Sequence, residues 1–151
     1  MQFLEKFRTW FARLLGAESS KPYISSTGAV ARFVFERSKI RHDGSPKPGI
    51  FEPERHPDTG TLETSICGLN GVSNERLWLL GRTVRSDKQA IAAVEIGIDK
   101  VNAAGLDCRA EATDNFPEHG VIVGWSDEKS VRMLTQQQLV VSLTRMLHPK
   151  A

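Results

Sequence analysis

Residues 87–104 read "DKQAIAAVEIGIDKVNAA", and the fold turns on whether this run is a helix or a strand. Ile91, Val94, Ile98 and Val101 recur at three- and four-residue steps, the spacing that lines up one face of an α-helix. Ser86 and Gln89 have the separation of a capping box, and Gly105 stands where a helix would stop. The spacing therefore predicts a helix over this run.

Upstream, "AVARFVFE" (29–36) alternates Ala29, Ala31, Phe33 and Phe35 against Val30, Arg32, Val34 and Glu36, which predicts a strand. "LETSICGL" (62–69) alternates more weakly and also suits a strand. Ser73 is placed to cap a short helix "NERLWLL" that ends at Gly81. Downstream, "LDCRAEA" (106–112) and "HGVIVGW" (119–125) read as two strands turned by "TDNFPE". Ser126 or Asp127 caps a last helix, with Val131, Leu134, Val140, Leu143 and Leu147 in helical register until Pro149. Strand, strand, helix, helix, strand, strand, helix is an α+β order. The expectation is a single mixed or antiparallel sheet of about four strands with helices packed on one face, plus an N-terminal amphipathic helix.

The domain reading follows. Residues 1–16 are the amphipathic helix, 17–28 a linker, and 29–148 one α+β domain with a long Pro-rich loop at 37–61. A chain of 151 residues is long enough for one core and short for two. Its 40% hydrophobic and 25% charged composition excludes a membrane bundle and a globally disordered chain. Up to Arg55 there are ten Lys/Arg against six Asp/Glu, and beyond it ten against twelve, so positive potential gathers towards the N-terminal third. Cys67 and Cys108 lie in strand-like runs and read as buried thiols. Glu5, Lys6, Arg8 and Arg13 interrupt any secretory core, and no apolar run reaches the length of a membrane span. The sequence points to a cytoplasmic protein, with contact at the inner membrane face as one use of residues 1–16.

The loop 37–61 is longer than most structureless connections in a domain, and such loops tend to carry function. Pro46, Pro48, Pro53 and Pro57 stiffen it. Arg41, His42, Lys47, Arg55 and His56 suit a phosphate or carboxylate, while Asp43, Glu52, Glu54 and Asp58 nearly cancel their charge. His119 stands where a turn becomes an apolar strand, a rigid platform for a functional histidine. Arg32 lies within an otherwise apolar strand. If its face is covered, its guanidinium needs a carboxylate, Glu63 being the candidate, or a ligand anion.

Other chemistries fit poorly. His56, Cys67, Cys108 and His119 lack the close pairs of a structural zinc site, so no metal and no cofactor is assigned. "PDTGTLETS" has Ser65 where a metal-dependent nuclease core wants lysine. No Walker loop, dinucleotide turn, nucleophile elbow or zinc-protease helix is present, and one tyrosine in the chain gives no strong nucleic-acid signature.

Two resemblances add to this. Arg32, His42, His119 and Glu63 are similar in type, though not in spacing, to what an ADP-ribosyltransferase or RNA 2′-phosphotransferase family uses to hold a nicotinamide dinucleotide. The order "RFVF", "KPGIFEP", "ETSICGL", "LWLLG", "PEHGVIVGW" resembles a small uncharacterised bacterial domain family over roughly residues 29–130. That family has no established activity. The resemblance implies only that Lys47, Pro48, Phe51, Pro53, Trp78, His119 and Trp125 form one constellation.

In residues 1–16, Phe3, Phe7, Trp10, Phe11 and Leu14 share one face, and the opposite face is net basic. Packing on its own domain or a sister subunit, docking in a protein partner's groove, and lying on an anionic membrane are its three uses. Two functional expectations result. One is a small binding or accessory domain that docks through residues 1–16 and presents loop 37–61 as a recognition surface. The other is an enzyme acting on a nucleotide or other phosphate-bearing small molecule, by ADP-ribosyltransferase-like or phosphoester chemistry. In it His42, His56 or His119 is acid or base, and Arg32, Arg41, Lys47 and Glu63 bind the ligand.

Overall fold

Residues 87–104 do not form one helix. In the computed structural model, which describes residues 22–150, Ala92–Gly97 is a strand and only Ile98–Ala103 is helical. The strand is buried on both faces: Ala92, Val94 and Ile96 enter one apolar cluster and Ala93 the other. A strand of this kind reads as a continuous apolar run, so its periodicity does not separate it from a buried helix. The apparent stripe was assembled from two elements, with Val94 in the strand and Ile98 and Val101 in the helix.

In chain order the elements are β1 (Ala29–Val34), 3-10 turns at Arg37–Lys39 and Pro48–Phe51, β2 (Glu54–Arg55), β3 (Leu62–Gly68), α1 (Asn74–Thr83), β4 (Ala92–Gly97), α2 (Ile98–Ala103), β5 (Asp107–Ala110), β6 (His119–Val123), α3 (Lys129–Val141) and β7 (Arg145–Leu147). The sheet has seven strands in the order β5-β6-β3-β1-β4-β7, with β2 added beside β3. Every pairing is antiparallel.

The expected architecture is therefore corrected. The sheet has seven strands rather than about four, and the helices cover both faces rather than one. The last helix stops at Val141, and Thr144 donates to the Glu95 carbonyl, bringing β7 onto the free edge of β4. β2 is only two residues long, too short for an alternating pattern to reveal it. The N-terminal helix expected at 1–16, with Phe3, Phe7, Trp10, Phe11 and Leu14, lies outside the described residues.

On one face Val30, Val34, Ile66, Val94, Ile96 and Ile122 pack under α2 and α3, together with Ile50 and Phe51 from the second 3-10 turn. Burial of such side chains contributes about 1.5–3 kcal/mol each. On the other face Ala31, Phe33, Cys67 and Ala93 pack under α1 through Leu77 and Leu80. Ser73 caps α1, its hydroxyl accepting from the Arg76 amide at 3.1 Å. Arg76 then reaches the buried Glu118 with two hydrogen bonds, at 2.7 and 3.2 Å, pinning the helix to the turn before β6. Among the described residues α1 is the one helix on this face, and the part it leaves uncovered is where the sheet opens.

Candidate functional site

β1 and β3 pair over only two residue pairs, Val30 with Gly68 and Ala31 with Cys67. Beyond them the strands part. β1 stays with β4 along its whole length, while β2 takes β1's place beside β3, with Glu54 opposite Glu63 and Arg55 opposite Leu62. The result is a fork in the middle of the sheet. The chain between β1 and β2 fills its far side: Ile50 and Phe51 enter the core, Thr64 donates to the Phe51 carbonyl at 2.8 Å, and Gln136 of α3 donates to Glu52 at 2.7 Å.

Arg32 sits in this fork. Its Nε donates to the Ile50 carbonyl at 2.9 Å and one terminal nitrogen donates to the Ser65 carbonyl at 3.0 Å. It thus bridges the two parted strands with hydrogen bonds the ladder no longer makes. Burial pushes its pKa down, Glu54 nearby opposes that and Arg85 adds to it. An arginine remains charged under such a shift. Among the described residues no carboxylate lies within ion-pair distance of Arg32; Glu63, the partner expected from the sequence, is 3.8 Å from Arg109 instead.

The fork opens into a cleft of about 490 Å³ on the α1 face, with a side chamber of about 220 Å³ that shares Arg32, Phe33, Phe35, Glu52, Glu54 and Arg85. Its floor includes Ser65, an exposed residue on a central strand whose neighbours Thr64 and Ile66 are buried. The strand register orders the lining. His119 lies opposite Cys67, Arg32 reaches Ser65, Glu54 lies opposite Glu63, and the His56 amide bonds the Thr61 carbonyl. From the level of His119 to that of His56 is thus six residues, from Cys67 in β3 to Thr61 just before it, about 20 Å along the chain. Phe116 packs beside His119 with ring centroids 5.1 Å apart, and the Arg85 guanidinium lies 5.1 Å over the Phe35 ring. Arg85 also holds Asp87 through two hydrogen bonds at 3.1 and 2.9 Å, which depress the Asp87 carboxyl.

The two cleft histidines are fixed in opposite tautomers. His119 Nδ1 is 2.8 Å from the Glu111 carbonyl oxygen, which can only accept, so Nδ1 carries a proton and, in the neutral ring, Nε2 is the acceptor. His56 Nδ1 accepts from the Asp58 and Thr59 amides at 3.1 and 3.3 Å, so its proton sits on Nε2.

Of the residues singled out from the sequence, Arg32, His56, Glu63 and His119 line the cleft, and Arg41, His42 and Lys47 do not. Those three belong to a tight turn of their own. Ile40 bridges to Pro46, Arg41 donates to the Pro46 carbonyl, and Asp43 takes the Ser45 amide and hydroxyl, leaving His42 exposed at the tip. Arg85, Phe33, Phe35, Glu54, Glu111 and Phe116 line the cleft as well, and the sequence pattern does not mark them as site residues. The polar Ser65 within an apolar strand was the available signal. Among the described residues no three His, Cys, Asp or Glu are grouped to hold a metal ion, and no helix is long and apolar enough to cross a membrane.

No family model, curated protein or solved structure matches this chain.

Proposed function

We propose that the forked cleft binds a phosphate-bearing small molecule, the anion resting between Arg32 and Arg85. One observation carries this reading: half-buried in the fork, Arg32 hydrogen-bonds two backbone carbonyls, has the Glu54 charge nearby but among the described residues no carboxylate within ion-pair distance, and keeps guanidinium donors left over with a cleft in front of them. Burying a charge is costly unless it is paired, and a phosphate oxygen accepts what a carbonyl cannot neutralise. Arg85 is exposed and its bond to Asp87 is a surface pair, which contributes about 0–1 kcal/mol and yields to a multivalent anion. Phe116, beside His119 in the cleft lining, gives an aromatic face for a ring attached to the phosphate.

The register supports binding over acid–base chemistry shared by the histidines. Their backbone attachments lie about 20 Å apart along the strand, more than two imidazole side chains span to reach one reacting atom within hydrogen-bond distance. A cytoplasmic nucleotide pool is the setting in which such a cleft would be filled. Titration of pyrophosphate and AMP by calorimetry tests the reading. Arg85→Gln is expected to weaken pyrophosphate at least tenfold and Asp87→Asn to strengthen it a few-fold. Pyrophosphate affinity that is absent, or unchanged in both variants, overturns it.

A further inference from the structure

Within that binding reading, we infer that the ligand is a nucleoside diphosphate carrying a hydroxylated group such as a sugar, held in one direction along β3. The cleft is not uniformly basic, and its charges are sorted by position. At the Cys67 level it offers His119 with Phe116 beside it. At Ser65 it offers the Arg32 guanidinium. At the Glu63 level two carboxylates face each other across β2 and β3, and beyond them stands His56.

Each station suits one part of such a ligand. Phe116 supplies a stacking face, and His119 Nε2 supplies an acceptor for a ring N–H at the base end. Arg32 holds the diphosphate. Like charges directly opposite in an antiparallel pair are destabilising, and of the facing Glu54 and Glu63 at the cleft wall Glu63 is paired with Arg109 at 3.8 Å, so the remaining repulsion falls on the exposed Glu54. Hydroxyl donors on a ligand offset that repulsion, because carboxylates are acceptors only. His56 presents the opposite polarity, an Nε2–H that donates to a hydroxyl or ring oxygen. The span of about 20 Å exceeds a mononucleotide and accommodates a base, two phosphates and a sugar in extended form.

The inference is tested with the full chain by calorimetry, using ADP-ribose, UDP-glucose, ADP, UDP and pyrophosphate. At least one of ADP-ribose and UDP-glucose is expected to bind ten-fold or more tightly than its parent diphosphate. Glu54→Gln is expected to remove most of that advantage, read as the ratio of sugar-nucleotide to parent-diphosphate affinity within the variant, because Glu54 also lies near Arg32 and its loss shifts both ligands together. Glu54 is exposed, so this variant folds as the parent does. If ADP or UDP binds and the sugar adds nothing, the sugar end is wrong while the phosphate site stands. If none of the five binds, both readings fail. A long-range ¹⁵N–¹H spectrum supplies a second readout: His119 is expected as the Nδ1–H and His56 as the Nε2–H tautomer. The same tautomer in both rings overturns the assigned direction.

Discussion

Replacing Arg32 with methionine keeps much of the side-chain length and removes every donor that joins the two strands of the fork. Two carbonyls lose their partners. Ile50 is 4% exposed, so its oxygen is left without a hydrogen bond at a cost of about 1–3 kcal/mol. The Ser65 carbonyl lies at the exposed floor of the cleft, where water replaces the guanidinium and the loss is about 0.5 kcal/mol. Against these stands relief from holding a buried charge, which burial already penalises enough to lower the Arg32 pKa. The expected net destabilisation is about 2 kcal/mol, or about 1 M in the urea midpoint at a slope near 2 kcal/mol/M. Arg32→Lys retains the charge on a point donor that reaches one carbonyl, and should fall about halfway. Far-UV circular dichroism through a urea titration reads both variants. An Arg32→Met midpoint within about 0.2 M of the parent, at unchanged slope, would refute the bridging role.

Other consequences are open to the same treatment. Arg76→Met leaves Glu118, 3% exposed in its side chain, without its two guanidinium bonds. It should cost about 2–3 kcal/mol by thermal or urea unfolding, below the 3–5 kcal/mol typical of fully buried pairs because Arg76 reaches solvent. Gly68→Ala would set a Cβ 2.5 Å from the Tyr23 carbonyl oxygen, so the segment before β1 must shift. A loss of about 1–3 kcal/mol is expected, and equal stability would show that this segment does not rest on the sheet. Burial pushes both Cys67 and Cys108 thiols from 9.0 up to about 12. Ellman's reagent should therefore find neither at pH 8 until the protein unfolds. Folding favours their protonated form, so the contribution is complete below pH 9 and fades as pH rises towards about 12. A Cys67→Ser, Cys108→Ser double variant should show a flatter alkaline stability curve, and identical curves would exclude the thiols as the cause.

How far the sequence reveals this molecule depends on which residues one asks about. β1, β3, α1 and β6 are visible because their signals are local: short runs rich in β-branched or aromatic residues bounded by turns for the strands, and for α1 a serine whose hydroxyl does cap it. β4 is hidden for the reason that makes it central, burial on both faces, which erases the alternation a half-exposed strand would show. α3 and β7 merge in the sequence because Val140, Leu143 and Leu147 keep helical spacing across the break. Only the edge of β4, a tertiary partner, ends the helix there. At the cleft, Arg32 stands out as a lone charge in an apolar strand. Arg85 and Phe35 do not, since they meet only after α1 has folded back over the sheet. The basic residues of the loop looked equivalent in composition. Hydrogen bonds within 40–46 turn Arg41 and His42 onto the surface, while pairing with β3 carries Arg55 and His56 to the cleft.

The short seam between β1 and β3 also has a mechanical meaning. Six register pairs weld β1 to β4 and four weld β3 to β6, but only two weld the halves together. Such a sheet behaves as two stiff plates on a narrow spine, with Arg32 as a clasp partway along the opening. Bending about the spine strains few bonds, whereas sliding within either plate strains many. Within the ladder, the deformation that breaks the fewest pairings is therefore the one that changes the width of the cleft.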